Sequence, residues 1–377
     1  MSAEQLTERE ESVLEAVIRT YIETAEPAGS RYIAQRFGLG ISPATIRNTM
    51  ADLEEKGYLS HPHTSAGRVP TDRAYRYYVD TLMGPVHLSV GEQRRLRREL
   101  GEIDGVSAVE RLVRQAAHAV GLVTGELGIV LVPRLGDAVL ERVELVAVSS
   151  ELVLLVLTLQ GGVVRMVYMD LPMAVPAESL IPVAMVLNER LAGRRLREIL
   201  ATLPERLRDS APAGDPTAAA ILNVFVHDGE SLFDVPGLAG NDVYWGRTSL
   251  LANKPEFASG SSLKNLLELT ERSDLIASVL GEREHEAPLR ITIGEEHPEP
   301  ELSNFALITA EYRIGNLSGV LGVIGPKRML YEKVAATVNL SSILLTERLG
   351  DTESRPRRSA RRRSGDDTRR QSGPPVA

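Results

Sequence analysis

Two adjacent side chains carry the most specific chemistry in this sequence: Arg47 and Asn48, with Ala44 and Thr45 just before them. A guanidinium can bridge O6 and N7 of guanine, and a carboxamide can bridge N6 and N7 of adenine. The small Ala44 lets a backbone come close to a base edge. Ser42 stands at the head of the same segment, where its hydroxyl can cap a helix or contact a phosphate. Further along, His63-Thr64-Ser65-Ala66-Gly67-Arg68 is a small, polar, flexible stretch carrying one arginine. A loop of this kind can follow a sugar–phosphate backbone or enter a narrow minor groove. Ser30 and Arg31, with Thr64, Ser65 and Arg68, complete the candidate set as contacts that position without specifying.

These residues need a scaffold, and the surrounding punctuation supplies one. Thr7-Glu8-Arg9-Glu10 reads as a capping box. Val13, Leu14, Val17, Ile18, Tyr21 and Ile22 then recur at helical spacing. Ser30 is placed to cap a short second helix carrying Ile33 and Phe37, and Gly38-Leu39-Gly40 is a turn. Ser42-Pro43 opens a third helix, with a hydroxyl cap and proline at the first position. On that helix Ile46, Met50 and Leu53 share one arc, which puts Ala44, Arg47, Asn48 and Ala51 on the other. An ordinary amphipathic helix with a solvated polar face has the same pattern. The succession of short helix, glycine turn, capped helix and hairpin (58–70) favours a helix-turn-helix with a wing. Thr71 then caps a fourth helix.

The whole chain has 377 residues and a net charge of −8, so it does not coat nucleic acid by bulk charge. Residues 28–78 nevertheless hold seven basic and four acidic side chains. Cysteine is absent, which removes disulfides and thiolate ligands and fits a reducing compartment. We see no signal peptide, and the apolar run at 152–159 is too short to span a bilayer, so a cytoplasmic protein without membrane contact is expected.

After a linker and connecting helix (84–104), strands are expected at 129–132, 139–148, 152–159 and 163–169, then helix over 176–206 and 263–280. More strands follow at 291–293, 306–312 and 319–324, with a closing helix over 329–349. A sheet begun before 170 and finished after 290 implies one α/β domain, 105–171 and 246–350, holding an inserted segment, 172–245. The fold class is thus α+β multidomain, with a winged helix-turn-helix over 1–83 at its head. The tail, 351–377, has arginines scattered among Ser, Gly and Pro and reads as disordered.

Other chemistry is poorly supported. His61 and His63 could share a metal, but the remaining histidines lack ligand spacing, so no metal is expected. Gly319, Gly322 and Gly325 match no phosphate loop and suggest close strand packing. The acidic group Glu295, Glu296, Glu299 and Glu301 reads as a solvated loop. No nucleophile and base set is evident, so neither an enzyme nor a cofactor is expected.

Three long motifs carry a resemblance. They are Pro27-Ala28-Gly29-Ser30-Arg31; Ile41-Ser42-Pro43-Ala44-Thr45-Ile46-Arg47-Asn48-Thr49-Met50-Ala51-Asp52-Leu53-Glu54; and Pro62-His63-Thr64-Ser65-Ala66-Gly67-Arg68-Val69-Pro70-Thr71-Asp72. Together with Ile291-Thr292-Ile293-Gly294-Glu295-Glu296 and Gly322-Val323-Ile324-Gly325-Pro326-Lys327-Arg328-Met329-Leu330-Tyr331, they closely resemble the heat-inducible transcription repressor HrcA family. The likeness is weaker over 172–245. It implies a winged helix-turn-helix, a GAF-like domain and a dimerising insertion. It also implies a homodimer on double-stranded DNA, at an inverted-repeat operator of chaperone operons, released by heat and kept active by a chaperonin. Thr49 stands where the family pattern suggests an acidic residue at the groove edge, and the arginine-rich tail lies outside that pattern. The alternative, from another class, is a small-molecule-sensing regulator acting through the GAF-like domain.

Overall fold

A computed structural model describes residues 6–62, 67–84, 87–101, 108–133, 135–160, 164–208, 210, 215–233, 242–283, 288–315 and 317–354. The chain opens with α1 (Glu8–Thr24), α2 (Ser30–Phe37) and α3 (Pro43–Glu55). A two-stranded antiparallel hairpin follows, β1 (Leu59–Ser60) and β2 (Val69–Pro70), and then α4 (Asp72–Tyr77), which runs on into a π turn over Tyr78–Leu82. The apolar spacing seen in the sequence becomes a core: Val13, Leu14, Val17 and Ile18 of α1 meet Ile33, Ile46, Leu53 and Tyr75, all essentially inaccessible.

The Thr7 capping box forms, with the Thr7 amide donating to Glu10 at 2.9 Å and the Glu10 amide donating to the Thr7 hydroxyl at 3.3 Å. The Glu10 carboxylate also receives the Lys56 ammonium at 2.9 Å, tying the start of α1 to the end of α3. The Thr7 amide first, and then Lys56, hold the Glu10 carboxyl below its usual value of 4.5. A lowered folded value means this contribution to stability is complete above the ordinary carboxylate range and disappears as pH falls through the lowered value. Lys56→Met is therefore expected to narrow the stability gap between pH 7 and pH 3 in denaturant titrations. An unchanged pH profile would count against the pair.

After α5 (Val90–Glu99) and α6 (Ala108–Thr124) comes β3 (Leu127–Leu131), followed by β4 (Leu140–Ala147), β5 (Leu152–Leu159) and β6 (Val164–Asp170). Helices α7 (Leu180–Leu191), α8 (Leu196–Leu207) and α9 (Pro216–Phe233) lead to β7 (Val243–Trp245), and α10 (Ser249–Ala252), α11 (Gly260–Glu271) and α12 (Ser273–Gly281) follow. The last elements are β8 (Arg290–Ile293), β9 (Phe305–Ile314), β10 (Leu317–Pro326) and α13 (Tyr331–Ser354).

The strands form two larger sheets. One is five-stranded and antiparallel, in the order β7-β3-β10-β9-β8. Alternate residues face opposite layers, as the pleat requires. Val130, Ile308, Leu321 and Val323 join the core with α6 and α13, while Ile129, Leu307, Val320 and Ile324 join Leu251, Leu266 and Ile276 on the other side. Gly322 in β10 permits close strand approach, since a Cβ there would sit 2.4 Å from the Ile308 carbonyl oxygen.

The second sheet, β4-β5-β6, stands apart under α7, α8 and α9. Its inner face (Val143, Val153, Leu155, Leu157, Met169) packs with Val183, Leu187, Ile199 and Phe225. The Asn188 amide clips α7 to β4, accepting from the Val143 amide at 2.8 Å and donating to its carbonyl at 2.7 Å.

The strands divide between two sheets where one was expected. Of the four early strands only β3 enters the sheet completed after residue 290; the other three belong with the helices that follow them. Local patterns fix strands but not their partners, because pairing is non-local. The expected helix over 263–280 is broken at Arg272, and the one over 176–206 at Ala192–Arg195. No helix among the described residues is long and apolar enough to cross a membrane.

Candidate nucleic-acid interface

Helix α3 presents its polar face as its sequence requires. The Ser42 hydroxyl accepts from the Thr45 amide at 3.1 Å, and Pro43 occupies the first turn. Ile46, Met50 and Leu53 root the helix in the core. Ser42, Ala44, Arg47 and Asn48 are exposed, and Thr45 is half-buried beside them. Neither Arg47 nor Asn48 has a hydrogen bond or ion pair among the described residues, so both remain available to an external partner. The Ala44 amide, with no acceptor among the described residues, and the positive dipole end of α3 lie beside them, suited to an anionic backbone.

Thr49 departs from its expected place at the groove edge. It is buried, and its hydroxyl donates to the Thr45 carbonyl at 3.2 Å. Ser30 does not cap α2: Gly29 is the N-cap and contributes no side-chain bond, and the Ser30 hydroxyl, beside the exposed Arg31, has no partner among the described residues. His63, Thr64, Ser65 and Ala66 lie outside the described residues, as does the arginine-rich stretch from 355.

Arg68 is held inward at the base of the hairpin. Its backbone pairs with Ala28, and its guanidinium reaches the Glu54 carboxylate at 2.8 Å. His61 contacts the same carboxylate through Nδ1. Glu54 at the end of α3 thus ties both arms of the hairpin to that helix. Among the described residues no cluster of His, Asp or Glu could hold a metal ion.

A second constellation went unread in the sequence. The Gly294-Glu295-Glu296 and Lys327–Tyr331 motifs grip α4. Arg76 donates through Nε and Nη2 to the two Glu296 oxygens at 2.7 and 2.5 Å, and through Nη2 to the Ile291 carbonyl at 2.7 Å. Asp72 takes the Lys327 ammonium at 2.6 Å and the Glu295 amide at 3.0 Å. Tyr75 and Tyr331 pack ring against ring at 5.9 Å, and Tyr78 donates to Glu332. Two charged clasps flanking an aromatic contact therefore fasten the first four helices to the five-stranded sheet. Bidentate arginine–carboxylate geometry makes such a clasp directional.

Gly294 is the pinch point. Its φ is +56°, and a Cβ there would lie 1.9 Å from an Asp72 carboxylate oxygen. Gly294→Ala is expected to cost about 1–2 kcal/mol in backbone strain alone, besides displacing Asp72. Gly260, on α11 with open space around it, is the control. Denaturant titrations in which both alanine variants match the wild type would remove the clasp as a determinant of stability.

The comparisons with known proteins follow this division. The LexA DNA binding domain description matches residues 3–67, and the HrcA protein C terminal domain description matches residues 110–335. The heat-inducible transcription repressor HrcA of Chlorobium phaeovibrioides is 36% identical over 93% of this chain and 99% of its own length. The chain belongs to the HrcA family. The HrcA protein of Symbiobacterium thermophilum is likewise 36% identical, over 91% of this chain and 98% of its own. A crystal structure of a hypothetical protein at 2.2 Å resolution shares the fold, with a TM-score of 0.64 and 21% identity, covering 92% of this chain and 100% of that one. The HrcA architecture therefore joins an N-terminal DNA-binding domain to a mixed helix-and-sheet C-terminal region.

Proposed function

We propose that this chain is a heat-inducible transcription repressor that binds an inverted-repeat operator as a homodimer. One observation carries the reading: α3 offers Arg47 and Asn48, adjacent and without partners among the described residues, at the exposed start of a capped helix anchored in a full core. Arg47 and Asn48 read base edges, with Ala44 and Thr45 at close approach. Ser30, Arg31, Ser42, Thr64 and Ser65 contact phosphates, and Arg68 serves as the brace of the wing. Family membership supports the heat-inducible repressor part, since the relatives carry that name.

The dimer is proposed from the outer face of β4-β5-β6. Val146, Leu154 and Tyr168 stand in one cross-strand row, and Val156 and Met166 pair in the next. Tyr168 is 66% exposed and Val146 48%. A contiguous apolar sheet face of this kind marks an interaction surface, so the inserted, dimerising unit is taken to begin near residue 135, ahead of the expected 172. The antiparallel sheet layered by helices supports a GAF-like reading of the remainder. Both its faces are filled by the protein's own side chains, which favours a scaffold over ligand sensing inside the sheet layers. The chaperonin dependence implied by the resemblance belongs to the same reading.

The test is binding to a labelled inverted-repeat duplex from a chaperone promoter, against a scrambled duplex, across a salt series and with chaperonin present or absent. Repeat-selective binding at two protomers per duplex is expected. Equal, steeply salt-dependent binding to both duplexes under all conditions would reduce the interaction to phosphate contacts and sink the reading.

A further inference from the structure

A cleft of about 780 Å³ opens between the DNA-binding domain and the five-stranded-sheet domain. One wall is Tyr21 of α1, Val69 and Pro70 of β2, and Tyr75 of α4. The other includes Phe257, Leu269 and Phe305, with Asn265 and Asn304 at its rim. Its size is in the range of small-molecule sites, which favour domain interfaces. Phe257 and Phe305, both buried, stack on each other at 5.9 Å and contribute an apolar aromatic edge to the cleft. Tyr75 is 2% exposed, and its hydroxyl has no hydrogen-bond partner among the described residues.

The charges on the walls define what fits. Every cation lining the cleft is engaged by an internal carboxylate. Arg328 is held by Glu256 at 2.5 and 3.1 Å and also donates to the Ile22 carbonyl at 2.5 Å. Arg272 pairs with Glu301, and Lys327 with Asp72. Two lining carboxylates are left over: Glu268, which meets only the exposed Lys264 at 3.3 Å, and Glu271, which has no ion pair among the described residues. Both lie in the last turn of α11, where the helix dipole adds negative potential; the neighbouring cation, Arg272 at the C-cap, is paired with Glu301.

We propose that this cleft binds a small organic cation, an aromatic or aliphatic body bearing an ammonium group. Its ring lies on Phe257 and Phe305, and its charge on Glu268 and Glu271. Because β2 forms part of one wall, an occupant spans the wing base and the sheet domain together. It favours the docked arrangement of the two in proportion to its occupancy. The regulatory half of this inference rests on the repressor reading; the binding half does not.

The test uses tryptamine as probe and indole-3-acetate as its anionic counterpart, titrated into the full chain without DNA and followed by ligand-observed NMR and calorimetry. Saturable tryptamine binding is expected, at least about tenfold tighter than that of indole-3-acetate. Asn265→Trp, on the exposed side of α11, should block it, and Glu268→Gln with Glu271→Gln should weaken it about tenfold or more. No saturable binding, equal binding of the two probes, or indifference to these substitutions overturns the site. Operator affinity is then measured with and without saturating tryptamine. A shift in the wild type that Asn265→Trp abolishes supports the coupling, and no shift overturns it. Absence of operator binding both with and without tryptamine would instead be a failure of the repressor reading.

Discussion

Placing glutamate at Val146 and Tyr168 together yields a monomer that folds but holds its operator at least about 100-fold more weakly. Both side chains are exposed in the single chain, so charge there costs the fold little; Tyr168 is 66% accessible. In the proposed dimer the same positions become an interface centre, where an unpaired carboxylate is strongly disfavoured. They flank Leu154 in one row across three strands, so the two charges break the face from both sides. The loss in DNA affinity follows from valency. Two linked recognition helices gain about 10²–10⁴ over one through effective concentration, and that factor vanishes when they separate. Sedimentation equilibrium checks the first statement and operator titration the second. A variant that stays dimeric moves the interface elsewhere.

Arg47→Ala is expected to cost about 1–3 kcal/mol of operator binding and to relax discrimination at one base pair, while Asn48→Ala relaxes a neighbouring one. Thermal unfolding should not change, because neither side chain has a partner among the described residues. A phosphate contact behaves differently: its loss weakens all sequences alike and flattens the salt slope by about one. The two cases separate cleanly in a mutant-by-sequence binding grid. Arg68→Ala falls in a third class. Its guanidinium braces Glu54, so its loss should loosen the wing and lower stability along with affinity.

Helix α3 is legible because its signals are local. Ser42, Pro43 and the 46-50-53 stripe all lie within four turns, and each acts through its own neighbourhood. The Thr7 capping box is equally plain and forms. Ser30 misled because Gly29 can take the cap position itself. Thr49, expected at the groove edge, instead borders Leu53 at the edge of the buried arc. The clasp was illegible for a different reason. Arg76 and Glu296 stand 220 residues apart, and a solvated acidic loop has the same composition as half of an ion pair. Sheet membership failed likewise: nothing within 127–131 says that its neighbours are 243–245 and 317–326.

That last arrangement has a consequence for how the chain is made. β3 is buried along its whole length, and both of its sheet partners, β7 and β10, are synthesised only after the β4–α9 unit has emerged. At about 5–20 residues per second, the strand waits on the order of 10 s or more for its second edge to be covered. Over that interval Leu127, Ile129, Val130 and Leu131 present an apolar ribbon with open backbone edges, the form most prone to mispairing between nascent chains. The yield of native protein should therefore depend on crowding and temperature during translation more steeply than the stability of the finished molecule would suggest.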